Sequence, residues 1–264
     1  MIGLALEGGG ARGAYHVGVI KALLENGYDF DGFVGTSIGA LNAAMMAQCD
    51  FEKLHDLWLN VSYEDLFDED ECKLIKYIDE KGLKPNLELF ANMKETLIKI
   101  KDGGINTDKM KKFIDSHLDE NKIRSSNKDF GLVTLKINEL KPIRLMLNDI
   151  PHGQMVNYLM ASASVPGFRS ETIGNDKFID GAFHDNCPYS LLLEKDYDEI
   201  IAIRTTASGI FFKATNEDRV KVITPKQNLG RLLIFTPQRS AQNIKLGYED
   251  GLEFIKSGKG NKTI

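Results

Sequence analysis

The stretch Phe33-Val34-Gly35-Thr36-Ser37-Ile38-Gly39-Ala40 constrains this chain more than any other. A short apolar run turns through two glycines into a helix expected over Ile38–Ala47, the strand–turn–helix setting in which a G-x-S-x-G serine is held at a sharp bend. A residue at such a bend takes a strained backbone, so the positions two before and two after it must be small enough for strand and helix to pass closely. Gly35 and Gly39 meet that need, with Thr36 and Ile38 between them and Ser37 at the tip. The helix is apolar almost all round, the pattern of a buried and therefore rigid mount.

Upstream, Ile2–Leu6 is a continuous apolar run, consistent with a strand buried in a parallel sheet. It leads into Gly8-Gly9-Gly10-Ala11-Arg12-Gly13, and residues 14–26 follow with helical spacing until Gly27. Gly8-x-Gly10-x-x-Gly13 satisfies the dinucleotide fingerprint, with Asp29 or Asp31 as the ribose acid, and an oxidoreductase is a rival reading. Against it, Asp31 precedes the second strand, and that strand ends in the Ser37 bend. A glycine loop also suits acyl transfer, in which backbone N–H groups meet the oxyanion formed when a serine attacks. The helix behind the loop adds partial positive charge. Arg12 either holds this loop in shape or faces water.

With 264 residues and 42% hydrophobic composition the chain buries a sizeable core. A net charge of −5 without a basic block leaves no footprint for nucleic acid. Cys49, Cys72 and Cys187 are odd in number and far apart, which suggests neither a disulfide framework nor a zinc site and favours a reducing, cytoplasmic setting. Glu7 interrupts the apolar N-terminus, which is wrong for a secretory signal, and no apolar run is long enough to span a bilayer. Membrane contact is expected to be peripheral. Two apolar clusters, Phe211-Phe212 and Leu232-Leu233-Ile234-Phe235, are read as core, with an interfacial patch as the alternative.

Residues 50–104 read as a helical cap or insert. They include an acidic run over residues 64–71, taken as a solvated face or loop, and helical segments at residues 74–78 and 87–100. Thr107 is expected to N-cap a helix. Residues 130–138 and 143–147 pattern as paired strands around Lys141-Pro142, and residues 151–165 as a helix. Lys177-Phe178-Ile179 then delivers Asp180 to a strand end, before Gly181 and Ala182.

A serine hydroxyl needs a base within hydrogen-bond reach. Of the five histidines, His16, His55, His117, His152 and His184, only His184 follows Asp180, and it lies four residues on, so a conventional Ser–Asp–His order is poorly served. The blocks Gly8–Gly13, Gly35-Thr36-Ser37-Ile38-Gly39 and Asp180-Gly181-Ala182, in this order, resemble the patatin-like phospholipase family. Ala161-Ser162-Ala163-Ser164-Val165-Pro166, Asn186-x-Pro188 and Gly247-Tyr248-x-Asp250 are similar to further family stretches. Phe168-Arg169-Ser170-Glu171 departs from it, standing where many members are apolar. The resemblance implies a single three-layer α/β/α domain over residues 1–264 with a mainly parallel sheet. It also implies a Ser37–Asp180 dyad without a catalytic histidine, an oxyanion hole in the glycine loop, and no metal or cofactor. A lipid or phospholipid ester is then the expected substrate, and a catalytically silent lipid-binding domain the alternative. An aspartate base near its ordinary pKa would keep such a dyad active below pH 6.

Overall fold

The computed structural model describes residues 1–80, 103–207, 209–210 and 218–258. Part of the expected cap, including the helix read over residues 87–100, lies outside the described residues, as does the Phe211-Phe212 cluster.

Strands β1 (Ile2–Leu6), β2 (Gly32–Thr36), β3 (Asp129–Lys136), β7 (Glu199–Ile203) and β8 (Val220–Ile223) form a parallel sheet in the order β3-β2-β1-β7-β8. Antiparallel strands β4 (Lys141–Met146), β5 (Glu171–Ile173) and β6 (Asp176–Asp180) extend it, with β4 and β6 both on β3 and β5 on β6. The sheet strands alternate in period 2: Leu4, Leu6, Phe33 and Leu132 point into the larger core, while Ala5, Val34 and Val133 point into the smaller. A sheet apolar on both sides must be covered on both, which gives a mixed α/β fold of three layers.

The thick layer comprises α1 (Ala14–Glu25), α2 (Ile38–Ala47), α3 (Phe51–Asn60), α6 (Asp108–His117), α8 (Met155–Ser162) and α10 (Pro237–Lys256), all of which contribute to the larger core. The opposite face is covered by the short helix α9 (Ser190–Leu193) with Tyr189 and Tyr197. Tyr15 of α1 donates to Asp250 of α10 at 2.8 Å and Tyr248 donates to Glu25 at 2.6 Å, so the late Gly-Tyr-x-Asp stretch fastens α10 to α1.

Some expectations hold and others shift in detail. The acidic run over residues 64–71, read as a solvated face or loop, is a solvated face: it lies on α4 (Tyr63–Leu66), the start of α5 (Glu69–Glu80) and the two residues between them, with Leu66 and Phe67 turned inward. Thr107 stands at the N-cap of α6 but its hydroxyl makes no cap bond; Asn106 Oδ1 instead accepts the Asp108 N–H at 2.8 Å. The helix expected over residues 151–165 is shortened to α8, because Gly153 turns with φ 77° before it. The second apolar cluster is core, as read: Leu232, Leu233 and Ile234 are half-buried and Phe235 is buried, stacked on Trp58 with centroids 6.2 Å apart.

Candidate active site

Strand β2 ends at Thr36, and the chain reverses through Ser37 at φ 57° and ψ −129° before entering α2. That conformation is disfavoured for any residue with a side chain and persists only where its surroundings hold it. A Cβ on Gly35 would lie 2.3 Å from the Gly39 carbonyl, and one on Gly39 would lie 2.2 Å from Leu6 O, so both flanking glycines are required. The strained peptide is held by Ser162, whose hydroxyl accepts the Ser37 N–H at 2.9 Å and donates to Val133 O at 2.7 Å. Thr36 is fastened too, its hydroxyl donating to Asp185 O at 2.8 Å.

Asp180 reaches the same place from β6. Because β4 spans Gly131 to Lys136 on one edge of β3, β2 and β6 share the other edge. There Thr36 pairs with Val133 and Asp180 with Thr134, so the two strands meet end to end. Asp180 is 1% exposed, and its Oδ1 accepts the Ala182 N–H at 2.8 Å. Its Oδ2 is buried and accepts no close hydrogen bond. Burial lifts the Asp180 pKa to about 6, opposed by the Ser37 hydroxyl and then by the Ala182 N–H. The Ser37 contact is therefore near enough to favour the carboxylate yet looser than a tight hydrogen bond, as is common before a substrate binds.

The glycine loop lies beside this pair, and its backbone donors divide into two sets. The N–H groups of Gly8, Ala11 and Arg12 go to Asn186 O, Leu232 O and Gly9 O at 3.0, 2.7 and 3.1 Å. Those of Gly9 and Gly10, and that of Ile38 at the start of α2, make no hydrogen bond among the described residues. Gly13 ends the short 3₁₀ turn Gly10–Gly13. Arg12 is a clamp: its guanidinium donates to Gly230 O at 2.8 Å and to Thr206 O at 2.9 Å.

Two further fasteners escaped the sequence reading. Glu7, fully buried, accepts the N–H groups of Thr205 and Thr206 at 2.5 and 2.8 Å and pairs with Arg204 at 2.9 Å, tying the exit of β7 to the loop. The signal was an acid at the end of an apolar strand. Asn42 of α2 donates to Gly13 O at 3.0 Å and accepts from Trp58 Nε1 at 2.9 Å. Its amide also lies 3.2 Å from His16 Nδ1. His16 is buried, which pushes its pKa down to about 3 and keeps it neutral.

The dinucleotide reading fails on placement. Asp31 Oδ2 accepts the Ile2 N–H at 2.8 Å, at the opposite end of β1 from the glycine loop, and Asp29 is exposed and paired with Lys128. Neither acid lies at the end of β2, where a ribose would need it.

An apolar cavity of about 90 Å³ lies along α2, walled by Ile38, Leu41 and Met45 and, across from them, by Leu54, Trp58 and Phe113. It begins one residue beyond Ser37. The described part of the expected cap thus forms one wall of this cavity.

The strained Ser37 turn, the buried Asp180 carboxylate and the glycine loop with its unpartnered N–H groups thus come together at one end of the sheet. The chain belongs to the patatin-like phospholipase family, whose pattern matches residues 4–193. Over 47 residues it is 60% identical to lysophospholipase nte1 of Aspergillus terreus, a match covering 18% of this chain and 3% of that protein. Over 40 residues it is 58% identical to an uncharacterized NTE family protein of Mycobacterium tuberculosis, covering 15% of this chain and 11% of the other. The chain therefore matches only a small part of these relatives' length. The crystal structure of VipD from Legionella pneumophila shares the fold, with a TM-score of 0.60 at 16% identity over 97% of this chain and 67% of VipD.

Proposed function

We propose that the chain is a lipid acyl hydrolase working through a Ser37–Asp180 dyad. Asp180 takes the Ser37 proton as Oγ bonds to the ester carbonyl carbon, and the carbonyl electrons move onto its oxygen. The oxyanion is met by the Gly9, Gly10 and Ile38 N–H groups, assisted by the N-terminus of α2. Collapse breaks the ester C–O bond, and the departing alcohol takes the proton from Asp180. A water then repeats the sequence on the acyl-serine and releases a fatty acid.

The observation that carries this reading is the carboxylate of Asp180, buried, with Ser37 as the side chain that most favours its charged form. A base with pKa about 6 works near neutral pH. The apolar cavity beside Ile38 suits an acyl chain, and the family supports a lipid ester. A silent lipid-binding domain would need neither the strained serine nor the buried acid. Fluorophosphonate labelling decides: modification at Ser37, with hydrolysis across a panel of phospholipids, lysophospholipids and acylglycerols, is the expected result, and an unlabelled, inactive protein overturns it.

Contact with the lipid phase is proposed to be peripheral, since no described helix is long and apolar enough to cross a membrane. Phe183 and Ile210 are exposed beside the site, Ile210 N–H donating to Ala182 O at 2.9 Å, and form the proposed contact. Phe183→Ser with Ile210→Ser should weaken vesicle hydrolysis and spare a soluble short-chain ester; equal loss on both substrates argues against it. A cytoplasmic setting fits the three unpaired cysteines.

A further inference from the structure

Asn186 is the one side chain, among the described residues, whose two polar atoms are both buried and both without a hydrogen-bond partner. It is 1% exposed. Buried amides are nearly always satisfied, because leaving one unpaired costs stability. As the amide stands, Oδ1 faces Gly8 and Nδ2 faces Gly209; turning it over, which its shape allows, puts the nitrogen on the Gly8 side.

The backbone around this residue is firmly held. Asn186 O accepts the Gly8 N–H at 3.0 Å, its own N–H donates to Ile210 O at 2.7 Å, and the preceding carbonyl, of Asp185, accepts the Thr36 hydroxyl at 2.8 Å. The side chain is thereby set between the glycine loop and the elbow. The point that a Cβ on Gly8 would occupy lies 2.4 Å from Asn186 Oδ1 and 3.2 Å from Ser37 Cβ, so the amide and the serine flank the same bare face of Gly8. A hydrogen-bonding group held rigidly and unspent beside the nucleophile costs no reorganisation when charge develops in the site.

We propose that Asn186 is a further catalytic residue of the ester site, its buried and unpartnered amide turned to present Nδ2 on the side of Ser37 and Gly8 and donating a hydrogen bond to the ester oxygens as the tetrahedral intermediate forms. This rests on the hydrolase reading above. It adds a side-chain donor to the backbone donors of the loop and explains why an unsatisfied amide is kept in a closed position. The bond is made most strongly in the transition state, so its loss falls on kcat rather than KM.

The test compares the wild-type chain with Asn186→Leu and Asn186→Ala, measuring kcat and KM on a soluble p-nitrophenyl ester together with the thermal midpoint. Leucine is close to asparagine in shape and removes an unsatisfied polar group. The expected result for Asn186→Leu is a fall in kcat of about 10²-fold with KM little changed and a thermal midpoint equal to or above wild type. If leucine prevents folding, Asn186→Ala is read by the fall in kcat at unchanged KM. Variants that keep kcat within about threefold of an active wild type overturn the role of Asn186 alone. So does a loss of kcat that tracks a loss of thermal stability in both variants, which marks a structural residue. A folded wild type that hydrolyses no ester and takes no fluorophosphonate overturns the hydrolase reading, and this role with it.

Discussion

Asp180 follows directly on Thr36 along one edge of β3, Thr36 pairing with Val133 and Asp180 with Thr134. Ser37, which follows Thr36, and Asp180, far apart in sequence, are therefore positioned from consecutive residues of a single strand. Two backbone ladders are stiffer than any loop, which is the condition for a dyad with no third group to orient its base.

From this register, Asp180→Asn should abolish turnover as completely as Ser37→Ala, and the double variant should be no worse, because residues acting as a unit are not additive. His184→Ala should cost little beyond local packing. Steady-state kinetics on a soluble ester checks all four; a dead His184→Ala beside a merely impaired Asp180→Asn would put a conventional triad in place of the dyad.

The pH dependence follows from burial. An aspartate near its ordinary pKa would act well below pH 6, but in the fold Asp180 titrates at about 6, so kcat/KM should fall below that pH much as with a histidine base. Stability moves the other way. Since the folded pKa stands above the ordinary 3.8, the contribution of Asp180 is most favourable below 3.8 and is lost as pH rises through about 6. That loss amounts to about 3 kcal/mol, taking the shift as about two units. Asp180→Asn, which cannot ionise, should show a higher urea midpoint than wild type at pH 7 and little difference at pH 3.5. A midpoint difference that does not change with pH would remove this account.

Much of the site was legible because its signals are local. The elbow is written in Gly35 and Gly39, whose spacing has one steric meaning, and Asp180 was found because a strand pattern ends on it before Gly181. What stayed hidden depends on distant pairings. Nothing near Glu7 announces that residues 204–206 will donate to it, and nothing near Asn42 names Trp58 or Gly13 as partners. The raised pKa of Asp180 was hidden for the same reason: desolvation belongs to the packed structure, and no motif expresses it. The acidic run over residues 64–71 was legible only as solvent-facing, because charge marks exposure without distinguishing a loop from the outer face of a helix.

Gly9 tests the oxyanion loop. Its φ of 154° is one that residues with side chains rarely adopt, and a Cβ there would lie 2.4 Å from Thr205 Oγ1. Gly9→Ala should move the Gly9–Gly10 peptides and lower kcat by about 10²- to 10³-fold, the size of one lost oxyanion donor, while the protein still folds. Full turnover with unchanged KM would remove Gly9 and Gly10 from that role.

Asn42 links α2 to the end of the same loop, and its two contacts allow stability and activity to be read separately. Asn42→Leu strips Gly13 O and Trp58 Nε1 of their partner inside the protein, and two orphaned buried groups should together cost roughly 2–4 kcal/mol. Trp58→Phe removes only the indole donor, leaves the Asn42 bond to Gly13 in place, and should cost about half as much. If Asn42 acts on chemistry by holding the loop against α2, then kcat should drop about tenfold or more in Asn42→Leu and stay near wild type in Trp58→Phe, whose wall position in the cavity would show mainly in KM. Urea denaturation and ester kinetics on the two variants check this together. Equal losses of kcat in both would show that the network supports the core as a whole and does not position the glycine loop.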